Sequence, residues 1–153
     1  MKIVIQRVTK ASVIIDQVIY NSIDKGLVVL CGIQPNDNQE DIDYLVNKLI
    51  NLRIFPEDTF DFNKSLIDIN GELLIISQFT LLADTRKGRR PSWDSAANSN
   101  IAKPIYEAFL QSIKNQGIPT KDGVFGSDMQ VELVNNGPVT IIIDSKDRFS
   151  SRN

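Results

Sequence analysis

The period of the apolar and polar positions changes several times along the chain. Over residues 1–9, Ile3, Ile5 and Arg7 fall on one face and Val4, Gln6 and Val8 on the other, the two-residue repeat of a strand. Residues 11–15 and 18–23 read as further strands around a tight turn at Asp16–Gln17. Residues 27–33 form a continuous, largely β-branched run, as expected of a strand covered on both faces. Cys31 lies inside that run and reads as a small buried apolar residue, not a nucleophile. From residue 37 to 51 the period lengthens. Ile42, Leu45, Val46, Leu49 and Ile50 mark one buried stripe of a helix, with Asp37 as its N-cap and Glu40 three residues on.

The second half repeats the alternation of types. Residues 52–55 read as a short strand ended by Pro56, residues 57–64 as a polar loop, and residues 73–79 as an apolar strand entered through Asn70–Gly71. Residues 83–100 lack periodicity and read as a loop. Ile101, Ile105, Phe109 and Ile113 predict a helix over 101–115, with Pro104 in its first turn and Gly117 as the C′ residue. Residues 129–134 and 139–144 read as two closing strands around Asn135-Asn136-Gly137-Pro138, and the polar residues from Lys146 as a fraying tail. The order strands, helix, strands, helix, strands predicts one mixed α/β domain over residues 1–145, with two helices against a curved or barrel-like sheet and a polar tail over 146–153.

Composition narrows the chemistry. The 153 residues contain no histidine. That excludes a Ser-His-Asp triad, a Cys-His dyad, a His-ligated metal and an imidazole base. One cysteine excludes an internal disulfide and a multi-Cys metal site, and fits a reducing, cytoplasmic setting. Neither a metal nor another cofactor is expected. The longest apolar stretch, residues 26–33, is far short of the ~20 residues that span a bilayer, so no membrane association is expected. A net charge of -2 argues against a generic polyanion binder while leaving room for a local basic patch.

Three segments break the core pattern. Ser77-Gln78-Phe79-Thr80 places polar side chains at the end of an apolar strand, where groups are rigidly held and accessible; it is also what a strand emerging into solvent looks like. Asn135-Asn136-Gly137-Pro138 is, read locally, a tight hairpin; its Gly–Pro bond can be cis or trans, and a cis bond would make it a rigid functional tip. Arg86, Lys87, Arg89 and Arg90 set four cations within five residues, a phosphate-contacting loop or a solvated one. Trp93 nearby could stack on a base or anchor the loop.

These segments occur in order with Ala83-Asp84-Thr85, Pro91-Ser92, Phe125-Gly126, Asp128-Met129-Gln130-Val131 and Val139-Thr140, after Gln6-Arg7-Val8 and Ala11-Ser12-Val13. Together they resemble the D-aminoacyl-tRNA deacylase family of bacterial and eukaryotic type over nearly the whole chain. The resemblance implies that family's fold. It implies hydrolysis of the ester between a D-amino acid, or glycine mischarged on tRNA-Ala, and its tRNA, a chiral proofreading activity. It implies a homodimer in which a Gly137–Pro138 tip from one subunit completes the other's site. Ser77, Gln78, Phe79 and Thr80 would then line the pocket for the terminal adenosine and aminoacyl group, with backbone N–H groups near Phe79 and Thr80 as the oxyanion hole. Arg7 would hold the tip; Phe125 and Met129 would form the pocket wall; Arg86, Lys87, Arg89 and Arg90 would contact the tRNA acceptor end. Thr80 as nucleophile competes with the RNA's own 2′-hydroxyl; the missing histidine favours the latter, because a threonine needs a base beside it. Tip carbonyls that fix the α-amino group would make an L side chain collide while glycine passes. Trp93 departs from the family's phenylalanine, and residues 148–153 extend beyond the last motif with no role assigned. Two alternatives remain at this level: a related deacylase with a trans Gly–Pro bond acting on L-alanyl-tRNA, and a non-catalytic RNA-binding dimer.

Overall fold

The N-terminal alternation runs on without the break expected near Lys10. In the computed structural model, which describes residues 1–57 and 61–150, one strand, β1, spans Lys2–Ile15. Then follow β2 (Val18–Ile23), β3 (Gly26–Gly32), helix α1 (Gln39–Asn51), β4 (Phe55–Pro56), β5 (Phe62–Lys64), β6 (Glu72–Ser77), helix α2 (Ser99–Lys114), β7 (Thr120–Asp122) and β8 (Gln130–Asp144). Two 3-10 turns cover Phe79–Leu82 and Ser145–Phe149. No described helix is long and apolar enough to cross a membrane.

The mixed α/β architecture with two helices and a barrel-like sheet is what the sequence pattern predicts. Strand β1 is its spine. The first half of β1 pairs antiparallel with β3, the second half with β2, and β8 runs antiparallel along the other edge. Strand β6 lies parallel to β3 and β7 parallel to β6. The sheet curls until β2 and β7 meet through side chains: Asn21 Nδ2 donates to the Asp122 carbonyl at 2.7 Å and Lys121 Nζ to the Ser22 carbonyl at 2.6 Å. Val8, Val13, Val28, Leu74 and Ile76 fill the concave side. Ile3, Ile5, Leu27, Val29, Leu73 and Ile75 face the helices. Burying each such side chain stabilises the fold by roughly 1.5–3 kcal/mol, which is why the α1 stripe of Ile42, Leu45, Val46, Leu49 and Ile50 docks as expected.

Several local readings need correction. The α1 cap is Asn38, not Asp37; its side chain accepts from Glu40 N at 2.9 Å, while Asp41 accepts from Asn38 N at 3.0 Å. Asp37 instead receives the Met1 amino group at 2.5 Å and is buried. Helix α2 starts earlier, capped by Asn98, so Pro104 falls in its second turn and Gly117 one residue past C′. Its buried face is Ala102, Tyr106, Phe109, Leu110 and Ile113, leaving Ile101 exposed, because a strict four-residue repeat drifts around a 3.6-residue helix. Phe62–Lys64 pairs with β4 where a loop was expected; residues 58–60 of that loop lie outside the described residues. The expected closing hairpin is one long strand, β8. Residues 146–150 do not fray: Arg148 binds Asp41 and lies 3.5 Å from Glu40, so the last turn clamps the start of α1. Residues 151–153 lie outside the described residues.

Candidate active site

Strand β6 is buried from Leu73 to Ile76 and surfaces at Ser77. Gln78 N donates to the Cys31 carbonyl at 2.7 Å, which fixes where the chain leaves the sheet. The 3-10 turn that follows opens with the N–H groups of Phe79 and Thr80, and no backbone bond engages either among the described residues. The first N–H groups of a helical turn have no partner within it, so these two are free donors at a strand end. Thr80 Oγ1 accepts from Gln78 Nε2 at 2.5 Å; among the described residues, no carboxylate or lysine is bonded to it.

A cavity of about 700 Å³ opens beside this turn. That is within the size range of small-molecule sites. Ser77, Gln78, Phe79, Phe125 and Met129 line it, so the structure brings these expected residues together; Thr80 is not among the lining residues. Phe125 leans on Tyr106 with ring centroids 5.7 Å apart, and the Tyr106 hydroxyl donates to the Ile75 carbonyl at 2.9 Å. Met129 packs over Gly123, where a Cβ would lie 2.5 Å from its sulfur. Cys31 forms part of the floor; burial pushes its thiol up to about 12, which leaves it protonated and inert at neutral pH.

The sequence reading missed part of the wall. Ala96, Ala97, Asn98 and Ser99, at the start of α2, complete the cavity, as does Asp128, its one charged lining residue among those described. The small-residue run Ser95-Ala96-Ala97 was the available signal, but a run of that kind is also ordinary loop.

The Gly137–Pro138 segment is elsewhere. Gln6 pairs with Thr140 and Val8 with Asn135, so residues 136–139 bulge out opposite Arg7 alone. The bulge is braced from within and below. Val139 N donates to Asn135 Oδ1, and Asn135 Nδ2 to Thr140 Oγ1, both at 3.0 Å. Arg7 is buried; its Nε donates to the Asn136 carbonyl at 3.0 Å and its Nη1 to the Ile54 carbonyl. The Phe62 ring covers the guanidinium at 5.4 Å. Burial lowers the Arg7 pKa, yet an arginine keeps its charge. The Gly137–Pro138 bond is cis and Gly137 has φ +128, with room for no Cβ between Arg7 Nη2 (2.8 Å) and Val139 Cγ2 (2.9 Å). Gly137 and Pro138 are exposed and do not line the cavity of their own chain. Five residues of β8 lie between Gly137 and Val131 at the cavity wall.

The basic loop is closed at its base by two backbone bonds of 2.9 Å between Asp84 and Ser92. Arg86 folds back onto Asp84 at 2.6 Å, and its hydrogen bonds draw that carboxyl down to about 2. All four cations are exposed, and among the described residues Arg86 is the one of them held in an ion pair.

A family model described as D-Tyr-tRNA(Tyr) deacylase matches residues 4–144. A solved structure described as "c-Myc DNA Unwinding Element Binding Protein" is 38% identical, with a TM-score of 0.88 over 94% of this chain and 98% of that one. Another, "Structural Analysis of a probable eukaryotic D-amino acid tRNA deacylase", gives a TM-score of 0.81 over 93% and 97% of the two chains at 16% identity, a likeness of fold.

Proposed function

The chain belongs to the D-Tyr-tRNA(Tyr) deacylase family, hydrolases that cleave the ester of a D-aminoacyl-tRNA, and from that premise we propose that two copies share each active site. The observation that carries this reading is the braced tip: Gly137 and Pro138 are held rigidly and exposed, yet stand outside their own cavity. A second copy related by a two-fold axis would insert its tip into this cavity and receive this tip in return.

Within that site the cavity takes the terminal adenosine and aminoacyl group. The free N–H groups of Phe79 and Thr80 receive the oxygen that becomes negative when water adds to the ester carbon. The bond to the ribose oxygen then breaks, and that oxygen takes up a proton. The vicinal 2′-hydroxyl of the RNA is the group placed to assist that transfer; Thr80, bonded to an amide and, among the described residues, to no base, is not. Tip carbonyls hold the substrate α-amino group, so an L side chain meets the tip, a D side chain points away, and glycine passes. Lys87, Arg89 and Arg90 contact the acceptor end, with Arg86 partly neutralised by Asp84. Residues 1–145 act as the deacylase domain, and a cytoplasmic setting suits a tRNA substrate.

The test is a panel of D-tyrosyl-, L-tyrosyl-, glycyl- and L-alanyl-tRNA at equal concentration. Release of D-tyrosine and glycine but not L-tyrosine is expected. Preferential release of L-alanine would point to the L-alanyl deacylase. The description of the 38% identical relative as a DNA unwinding element binding protein makes non-hydrolytic nucleic-acid binding the competing reading, and no release from any substrate would favour it.

A further inference from the structure

Phe79 and Trp93 meet edge-on at the mouth of the cavity, with centroids 5.2 Å apart and planes at 73°. Both line it, and they are its most open aromatic residues, 54% and 39% exposed. Two large rings left half in water are an apolar surface awaiting a partner. Trp93 is firmly seated: its carbonyl accepts from Ala96 N at 2.9 Å, and Ala97 N is tied to the Ile33 carbonyl at 2.9 Å. Its neighbour Ser92 belongs to the backbone clamp that closes the loop carrying Lys87, Arg89 and Arg90. One loop thus carries Trp93 of an open aromatic pair and four exposed cations, three of them outside any ion pair among the described residues. That pairing is how proteins hold single-stranded nucleic acid, with bases on rings and phosphates on cations.

We propose that the Phe79–Trp93 pair is a stacking platform for the nucleobase next to the terminal adenosine of the bound RNA. This rests on reading the cavity as the adenosine site. The terminal nucleoside occupies the interior over Cys31, Ile76 and Met129. The mouth is left to the preceding nucleotide, whose phosphate is turned toward the cationic loop. Stacking tolerates any base, so the platform adds affinity for an RNA end without reading its sequence.

Trp93 is the only tryptophan, so its fluorescence reports directly on the platform. Titration of the native protein with the trinucleotide CpCpA should quench it, and adenosine alone should do so far less. In kinetics with D-tyrosyl-tRNA, Trp93→Ala should raise KM roughly 10-fold or more with a smaller effect on kcat, and Trp93→Phe should recover most of the loss. Equal quenching by adenosine and CpCpA, or an unchanged KM in Trp93→Ala, would overturn the proposal. The fluorescence arm uses native protein and stands even if the variant fails to fold. Quenching by CpCpA in a protein that hydrolyses none of the four aminoacyl-tRNAs would support the platform and overturn the deacylase reading.

Discussion

Arg7 joins two backbone carbonyls that belong to different parts of the chain, Asn136 at the tip and Ile54 beside β4. A lysine gathers its three donors on one nitrogen where this arginine spreads Nε and Nη1 along a planar fork, so it does not reproduce both bonds. Charge-assisted bonds of this kind contribute about 1.5–3 kcal/mol each. Arg7→Lys should therefore lower kcat/KM on D-tyrosyl-tRNA by roughly 10- to 100-fold and raise the relative rate on L-tyrosyl-tRNA, measured side by side. An unchanged D-to-L ratio would mean that the tip does not set chirality. Thr80 gives the contrasting case. Thr80→Ala should retain substantial activity, while a substrate ending in 2′-deoxyadenosine should be nearly inert; the reverse result would establish Thr80 as the nucleophile. Arg7's role was not legible in the pattern. It alternates with Ile3 and Ile5, yet an arginine there reads as a surface side chain on an edge strand, and only the family resemblance tied it to the tip; it is in fact buried. Its two partners lie 47 and 129 residues away, and no local signal carries that.

Strands and helices divide into those set by local pattern and those set by their neighbours. The α1 stripe was readable because five apolar residues at helical spacing admit one packing face. The Asn38 cap was not separable from Asp37, since both residue types cap helices and only tertiary contact with Met1 claims Asp37. Strand β8 misled for a similar reason: Asn-Gly-Pro has the same local chemistry in a hairpin and in a bulge, and the pairing of β1 decides between them. Gly26 shows what that pairing requires. A Cβ there would lie 1.9 Å from the Glu72 carbonyl oxygen, in the parallel β3–β6 ladder. Gly26→Ala should destabilise by roughly 3 kcal/mol, about 6–12 °C in Tm, by calorimetry. The C-terminal turn makes an acid-sensitive clamp. Burial alone would raise the Asp41 carboxyl, but hydrogen bonds from Ser145, Arg148 and Asn38 and the nearby amino terminus bring it down to about 2. A depressed carboxyl stabilises the fold above its unfolded pKa of about 4, and that stability is lost as pH falls from about 4 toward 2. Urea midpoints measured between pH 5 and 2 should fall over that window. Arg148→Met should lower the midpoint at pH 5 and flatten the fall; an unaltered slope would contradict the assignment.

Across the whole molecule, the net charge of -2 conceals one cationic loop, and the loop's base is tied into the cavity wall. Replacing Lys87, Arg89 and Arg90 together by alanine should weaken tRNA binding and flatten its salt dependence, because fewer phosphate counterions are released. The chain of 17.2 kDa should sediment at micromolar concentration as a particle of twice that mass. The central claim is that each cavity is completed by the partner's tip, and subunit mixing tests it most directly. Ala96→Trp obstructs the cavity from a half-buried wall position, and Gly137→Ala spoils the tip, so each homodimer alone should be inactive. Unfolded and reassociated at equal amounts, the two variants should regain about a quarter of native activity on D-tyrosyl-tRNA, since half the dimers are mixed and each then holds one intact site of two. Mixed dimers that form in that proportion and yet remain inactive would contradict the shared site.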